Sequence, residues 1–147
     1  MSDALALLMD EREIGRALAR FARAMDARDW AAATAILSPK ATGEMGTGPL
    51  EGPDAIIGCI RHYLDGCGPT QHLLGNLLIE VAGDRAESRC YVSDMHLGAG
   101  DRSSLSFVTL GDYHDHWERI DGAWRLAHRH KVNNGHIGSF KVFGLDR

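Results

Sequence analysis

The period of the apolar positions changes once along this chain. Between residues 9 and 27, Ile14, Leu18, Phe21 and Met25 recur at intervals of three and four, with Arg12, Arg16, Arg20 and Arg23 elsewhere around the turn. That spacing predicts an amphipathic helix. Asp29 is placed to cap a second helix, from Trp30 to Leu37, which Ser38-Pro39 stops. Residues 40–52, rich in Gly and Thr, read as a short strand with loops. Gly52-Pro53-Asp54 then opens a third helix that runs to about Cys67. From Thr70 the pattern turns strand-like: Leu73 to Val81, a turn at Gly83-Asp84, then Arg85 to Leu97. Ser103 to Ile120 and Ala123 to Val132 follow, joined by a hairpin turn at Asp121-Gly122. Helices first and a meander second predict an α+β domain, with the helices packed on one face of a strongly curved antiparallel sheet that encloses a pocket.

Composition narrows the function more than the fold. The 147 residues are 44% hydrophobic and 24% charged, which suits one globular domain over residues 1–147. A formal net charge of −4 argues against nucleic acid as a partner. No run approaches the ~20 apolar residues of a membrane-spanning helix. The first residues are acidic where a signal peptide would be basic. Cys59, Cys67 and Cys90 are odd in number with no CxxC spacing, a poor basis for a disulfide framework or zinc site. These features predict a cytoplasmic protein.

Several segments, taken in order, resemble a known family. They are Ile14 to Asp26 followed by Asp29-Trp30, then Leu50-Glu-Gly-Pro-Asp-Ala-Ile56, Thr70-Gln-His-Leu-Leu-Gly75, and Trp117 to Leu126. Together they are similar to the SnoaL-like branch of the nuclear-transport-factor-2-like superfamily, over roughly residues 10–132. Fold alone does not give function, since that superfamily holds enzymes, binding subunits and transport factors. Within it, the chain resembles scytalone dehydratases and hexachlorocyclohexane dehydrochlorinases in particular. The resemblance implies a helix aspartate at Asp26, a strand histidine at His72 and, as in the dehydratases, a second histidine at His96. It also implies an arginine at Arg129, five residues after Trp124. It does not carry over an electrophilic partner. Met25 stands where the dehydratases have a tyrosine, Phe21 lies where the dehydrochlorinases have a lysine, and residues 9–27 contain no Tyr.

Elimination needs a base for a carbon-bound proton and a donor for the leaving group. A histidine oriented by a carboxylate suits the first task. Asp26 is therefore expected to orient His72 as the base, and His96 to protonate the leaving group. Arg129 would bind an anion, because its guanidinium stays charged and donates a fork of hydrogen bonds. Trp30, Met45, Tyr63, Leu74, Val92 and Phe107, with Ile56 and Ile60, are candidates for an apolar lining.

Strand register decides which of these meet. A three-residue loop, Gly83-Asp84-Arg85, would pair Ala82 with Ala86 and set His72 opposite His96, gathering Leu74, Leu78, Cys90 and Val92 on one face. A two-residue loop would pair His72 with Met95 and turn His96 away unless a bulge intervened. In the last hairpin, pairing Ile120 with Ala123 would put Asp115 opposite His128. Asp115, His128 and His130 would then share a face, a set able to bind iron or zinc, with His114, His116 and Arg129 on the other. Cross-strand polar pairing explains those histidines more simply, so neither metal nor other cofactor is expected.

The sequence thus predicts a cofactor-independent lyase, a dehydratase or related elimination enzyme, acting on a small, cyclic, largely apolar molecule. An isomerase or polyketide cyclase using the same Asp26–His72 pair is the first alternative. A non-catalytic subunit, like the β-subunit of ring-hydroxylating dioxygenases, is the second. The uncovered sheet face predicts a homodimer or homotrimer, with Trp117 and Trp124 at the interface. Whether the tail carrying Phe140 and Phe143 closes the pocket stays open at this level.

Overall fold

A computed structural model describes residues 3–145. Helix α1 (Asp3–Ala27) and the short α2 (Trp30–Ile36) lead directly into strand β1 (Leu37–Glu44). Strand β2 (Pro49–Glu51) and helix α3 (Pro53–Leu64) follow. Four long strands complete the chain: β3 (Cys67–Ala82), β4 (Arg85–Gly98), β5 (Ser106–Ile120) and β6 (Ala123–Gly138). They form one six-stranded sheet in the order β2-β1-β6-β5-β4-β3, with the three helices packed on it. The expected α+β architecture is what the chain adopts. The sheet is mixed rather than wholly antiparallel, because β1 lies parallel to β6. None of the described helices is long and apolar enough to cross a membrane.

The helices form where their caps and stripes direct. Ile14, Leu18, Phe21 and Met25 are all buried, and together they seat α1 on the sheet. The Asp29 carboxylate accepts from the Ala32 amide at 3.1 Å and starts α2. Gly52, at φ 89°, caps α3, whose first residue is Pro53. Pro39, which has no amide to donate, sits where the β1–β6 pairing is interrupted between Leu37 and Thr42.

Two bulges set the faces of the sheet, and each corrects an expected register. The β3–β4 turn has two residues, with Ala82 opposite Arg85, so Leu78 opposes Arg89 and points outward. Asn76, at φ 53°, and Leu77 then form a bulge against β4 that reverses the alternation. Beyond it His72 pairs with Asp94 and Thr70 with His96, so both histidines lie on the helix-facing side. In the last hairpin Ile120 does pair with Ala123, yet Ala127 is extra: Trp117 faces Leu126, and His116 faces His128. Asp115 therefore meets Arg129, while His114 and His116 pair across to His130 and His128 on the outer face. The anticipated grouping of Asp115, His128 and His130 does not form.

Trp117 and Trp124 are core residues, 2% and 3% exposed, rather than interface residues. Their indole N–H groups donate to Ser88 Oγ at 2.9 Å and to Asp10 Oδ1 at 3.0 Å. Strand β6 runs six residues past Val132, and the chain then folds back in a 3₁₀ turn, Phe140–Phe143. Val142 and Phe143 are buried against Phe107, and with Tyr63 and Phe140 they close one end of the space between helices and sheet.

Candidate active site

How α1 ends decides where the Asp26 carboxylate goes. The Asp29 amide bonds the Ala24 carbonyl at 2.8 Å and the Arg28 amide bonds that of Met25 at 3.1 Å, a Schellman closure. Arg28 takes the left-handed position, φ 57°, that glycine more often occupies. Its guanidinium donates to the carbonyls of Met25 and Gly68, each at 2.9 Å, and to Thr70 Oγ1 at 2.7 Å. The end of the helix is thereby tied to the start of β3. Asp26 Oδ1 then accepts from His72 Nδ1 at 2.6 Å and from Thr70 Oγ1 at 3.0 Å, while Oδ2 accepts from the His72 amide at 3.0 Å.

Those contacts fix both protonation and orientation. Burial alone would push the Asp26 carboxyl up, but the His72 ring and amide and the Thr70 hydroxyl outweigh it and hold it below its ordinary value. An ionised carboxylate only accepts, so Nδ1 of His72 carries the proton and Nε2 is the uncommitted ring nitrogen. The His72 side chain is 5% exposed and lines a cavity of about 310 Å³.

His96 lines the same cavity, with its ring 5.9 Å from that of His72, centroid to centroid. Its Nδ1 lies 3.0 Å from the Phe107 carbonyl, which can only accept. Burial pushes the His96 imidazole below its ordinary value, so the ring is neutral near pH 7, with a lone pair on Nε2. In that state it accepts a hydrogen bond and has no proton to give at Nε2.

Arg129 reaches the cavity wall, but Asp115 takes it bidentately, Nε and Nη2 each at 2.9 Å, and Tyr113 stacks on it 3.7 Å away. Its charge is balanced from within. Met45, Tyr63 and Phe107 line the cavity, with Ile60 and Met25. Trp30, Leu74 and Val92 do not. Trp30 and Leu74 pack on the main core, with Arg61 over the Trp30 ring, and Val92 is buried within that core. The tail supplies Phe140 and Phe143 to the wall.

Sequence reasoning missed Asp94, Thr109, Tyr113, Lys131 and Asn133, all on the cavity wall. Asp94 accepts from Thr109 Oγ1 and, at 2.6 Å, from Lys131 Nζ. Asp94 stands two residues before His96, so strand alternation could have found it; Lys131 could not be placed without the Ala127 bulge. One donor atom from each of His72, Asp94 and His96 lies within 4.8 Å of the others, a spacing a metal ion could use. The two carboxylate oxygens are already bonded to Thr109 and Lys131, so the trio is better matched to hydrogen-bonded chemistry than to a cation.

A helix-capped cavity in which a half-buried carboxylate fixes one imidazole is the arrangement of a small α+β pocket protein. More particularly, the chain belongs to the SnoaL-like domain family, whose model matches residues 6–130. A curated relative, uncharacterized protein Rv2910c of Mycobacterium tuberculosis, is 30% identical over 129 residues, covering 85% of this chain and 86% of that protein. Among solved structures, hexachlorocyclohexane dehydrochlorinase LinA-type3 from Novosphingobium barchaimii superimposes with a TM-score of 0.82 at 18% identity, covering 93% of this chain and 94% of that one. A structure provisionally assigned as a scytalone dehydratase, from Novosphingobium aromaticivorans, gives 0.81 at 19% identity, covering 90% and 89%. At these identities the structural likeness establishes the fold.

Proposed function

We propose that the protein is a cofactor-independent lyase that eliminates water or a related leaving group from a small, cyclic, largely apolar substrate. The observation that carries this is the 2.6 Å contact between Asp26 and Nδ1 of a cavity-lining His72, with both Asp26 oxygens occupied. His72 Nε2 takes the carbon-bound proton, and Asp26 acts as the positioning residue that stabilises the imidazolium. The neutral His96 accepts from the departing hydroxyl and orients it. The proton that completes the leaving water comes back from His72, a revision of the acid role its position first suggested. The dehydrochlorinase and dehydratase among the structural neighbours favour elimination over the isomerase, cyclase and non-catalytic subunit readings. The three free thiols are in keeping with a reducing cytoplasm.

We also propose a homo-oligomer, now through the outer face of the sheet. Met95, Val108 and Ile137 form a cross-strand row there, beside Leu110, Leu73 and Tyr91. The test of the lyase reading is a screen of cyclic β-hydroxy ketones with wild-type protein and the His72→Ala and Asp26→Asn variants. Turnover is expected to fall by about 10²–10⁴ in His72→Ala, the usual worth of a positioned base. A folded His72→Ala protein with wild-type turnover ends the reading. Asp26→Asn should also remove the far-downfield proton resonance expected of a short Nδ1–H···O contact, which reports whether the Asp26–His72 pair is assembled in solution.

A further inference from the structure

The cavity wall that holds His72 also holds a charged group with no part in that proposal. The arginine and lysine side chains among the described residues of the wall are Arg129 and Lys131. Arg129 spends its fork on Asp115. Lys131 is different. Its side chain is 14% exposed, and among the described residues its hydrogen-bond partner is Asp94 Oδ2, at 2.6 Å. Asp94 is itself held by Thr109 and is 4% exposed at its side chain, so the ammonium is fixed by a buried anchor. An ammonium has three donors, and two remain for whatever enters. Around them stand Thr109, Tyr113 and Asn133, three more hydrogen-bonding side chains on the same wall.

We infer that Lys131, anchored by Asp94, is the oxyanion-binding residue of the site, taking the carbonyl oxygen of the substrate whose α-proton His72 removes. This rests on the lyase reading. An imidazole removes a carbon-bound proton at a useful rate when the charge left behind moves onto an oxygen held by a fixed donor. The geometry offers a base on β3 and a cation on β6 facing one cavity. The α-proton passes to His72 Nε2 as the C–H bond breaks, and that electron pair moves through the α-carbon to the carbonyl oxygen, which Lys131 N–H groups hold. The enolate then collapses: the carbonyl re-forms, a C=C bond forms, and the C–O bond to the β-hydroxyl breaks. The departing hydroxide takes the proton from His72. One water and one enone result, and Lys131 keeps its proton throughout.

Asp94 and Lys131 could instead form a neutral pair that only braces the sheet, and the two roles predict opposite behaviour. The probe is 2-naphthol, a flat phenol whose anion mimics a dienolate, with naphthalene as its uncharged counterpart. Binding of 2-naphthol is followed by the distinct absorbance of naphtholate, and that of naphthalene by its own fluorescence. Lys131→Met is expected to lower naphtholate affinity at least tenfold and leave naphthalene affinity unchanged. Asp94→Asn removes the competing anion and keeps the cation, so it should raise naphtholate affinity. If both variants weaken both probes alike, or if Lys131→Met leaves naphtholate binding intact, the inference is overturned. Should either single variant fold poorly, the Asp94→Asn/Lys131→Met double variant removes the charge pair together. It should still have lost the preference for naphtholate, and retention of that preference overturns the inference.

The base is tested separately by hydrogen–deuterium exchange at the α-carbon of 2-tetralone in D₂O. Exchange by wild type that persists in a folded His72→Ala protein removes the base reading and leaves the naphtholate result standing. Exchange lost in His72→Ala but undiminished in Lys131→Met leaves the base in place and overturns the oxyanion site.

Discussion

Arg129 and Asp115 are 4% and 0% exposed at their side chains, and each is the other's charge partner. Two desolvated ions gain little over an apolar pair of the same shape, but one left alone is costly. Arg129→Met should therefore destabilise the fold by about 3–5 kcal/mol, because Asp115 would stay buried without a counter-ion. Arg129→Met/Asp115→Leu should recover most of that loss. Urea denaturation checks both, and equal stability of the single and double variants would show that Asp115 had found another partner. The same residues show what sequence can and cannot deliver. An arginine five residues after Trp124 was legible as a candidate site residue, whereas its neutralisation was not. Asp115 is fourteen positions away, and it meets Arg129 only through the extra residue at Ala127. A bulge carries no fixed composition, so the face of every later residue on β6 was beyond reach of simple alternation.

At the level of elements, the predicted helices and strands form, since the apolar periods and caps were strong, but their ends shift: α3 stops at Leu64, and Cys67, expected at the end of that helix, opens β3. The two β3–β4 registers could not be separated, because Asn76 in a left-handed conformation gives no signal apart from being an asparagine. Asp26 joins α1 to β3, and its pH dependence is a measure of that joint. Its carboxyl is held low, as are those of Asp10, bonded to Arg119 and Trp124, and Asp112, bonded to Arg89. Groups with depressed carboxyl values add stability above the unfolded carboxylate range and lose it as pH falls through the folded values. His96 works on a higher window. Its folded value is lowered, mainly by burial, so the unfolded chain binds the proton first. Stability should thus decline as pH falls below about 6.5, the ordinary histidine value, with His128 adding in the same direction. His96→Asn should flatten the pH 5–7 part of the stability curve, and Asp26→Asn the part below about pH 4. Urea midpoints measured across pH test both, and unchanged slopes in either variant would contradict the assignment.

The tail is the other joint between elements. Gly138 has φ 100°, and a Cβ there would stand 2.1 Å from the Ser106 carbonyl oxygen, backbone that has little room to give. The turn it makes returns Phe140 and Phe143 to the cavity wall. Gly138→Ala should release that end, lowering naphthalene affinity and Tm together while leaving the α1–β3 joint and its downfield proton resonance in place. Loss of the resonance along with the affinity would mean that the damage had spread through the whole fold.

For the whole molecule, the helices cover one face of the sheet and leave the other bare. That bare face carries Ile137, 70% exposed, Leu73 at 63%, Tyr91 at 56% and Leu110 at 55%. Scattered exposed apolar residues are ordinary, but a contiguous cross-strand group marks a surface meant to be covered. A second copy suits it, because the face is built from strands that end in buried cavity residues on their other side. Pairing there would stiffen the strands bearing His72, His96 and Lys131 without obstructing the cavity. The tryptophans first expected at the interface are inside the core, so their substitution tests folding rather than assembly. Leu110→Glu and Ile137→Lys are the informative changes: each adds charge on the outer face, and neither residue lines the cavity. Sedimentation equilibrium should give a dimer or trimer for wild type and a shift toward monomer of at least tenfold in dissociation constant for either variant. A wild-type monomer at micromolar concentration would leave that apolar face for a different partner, and unchanged assembly in both variants would place the contact elsewhere on the surface.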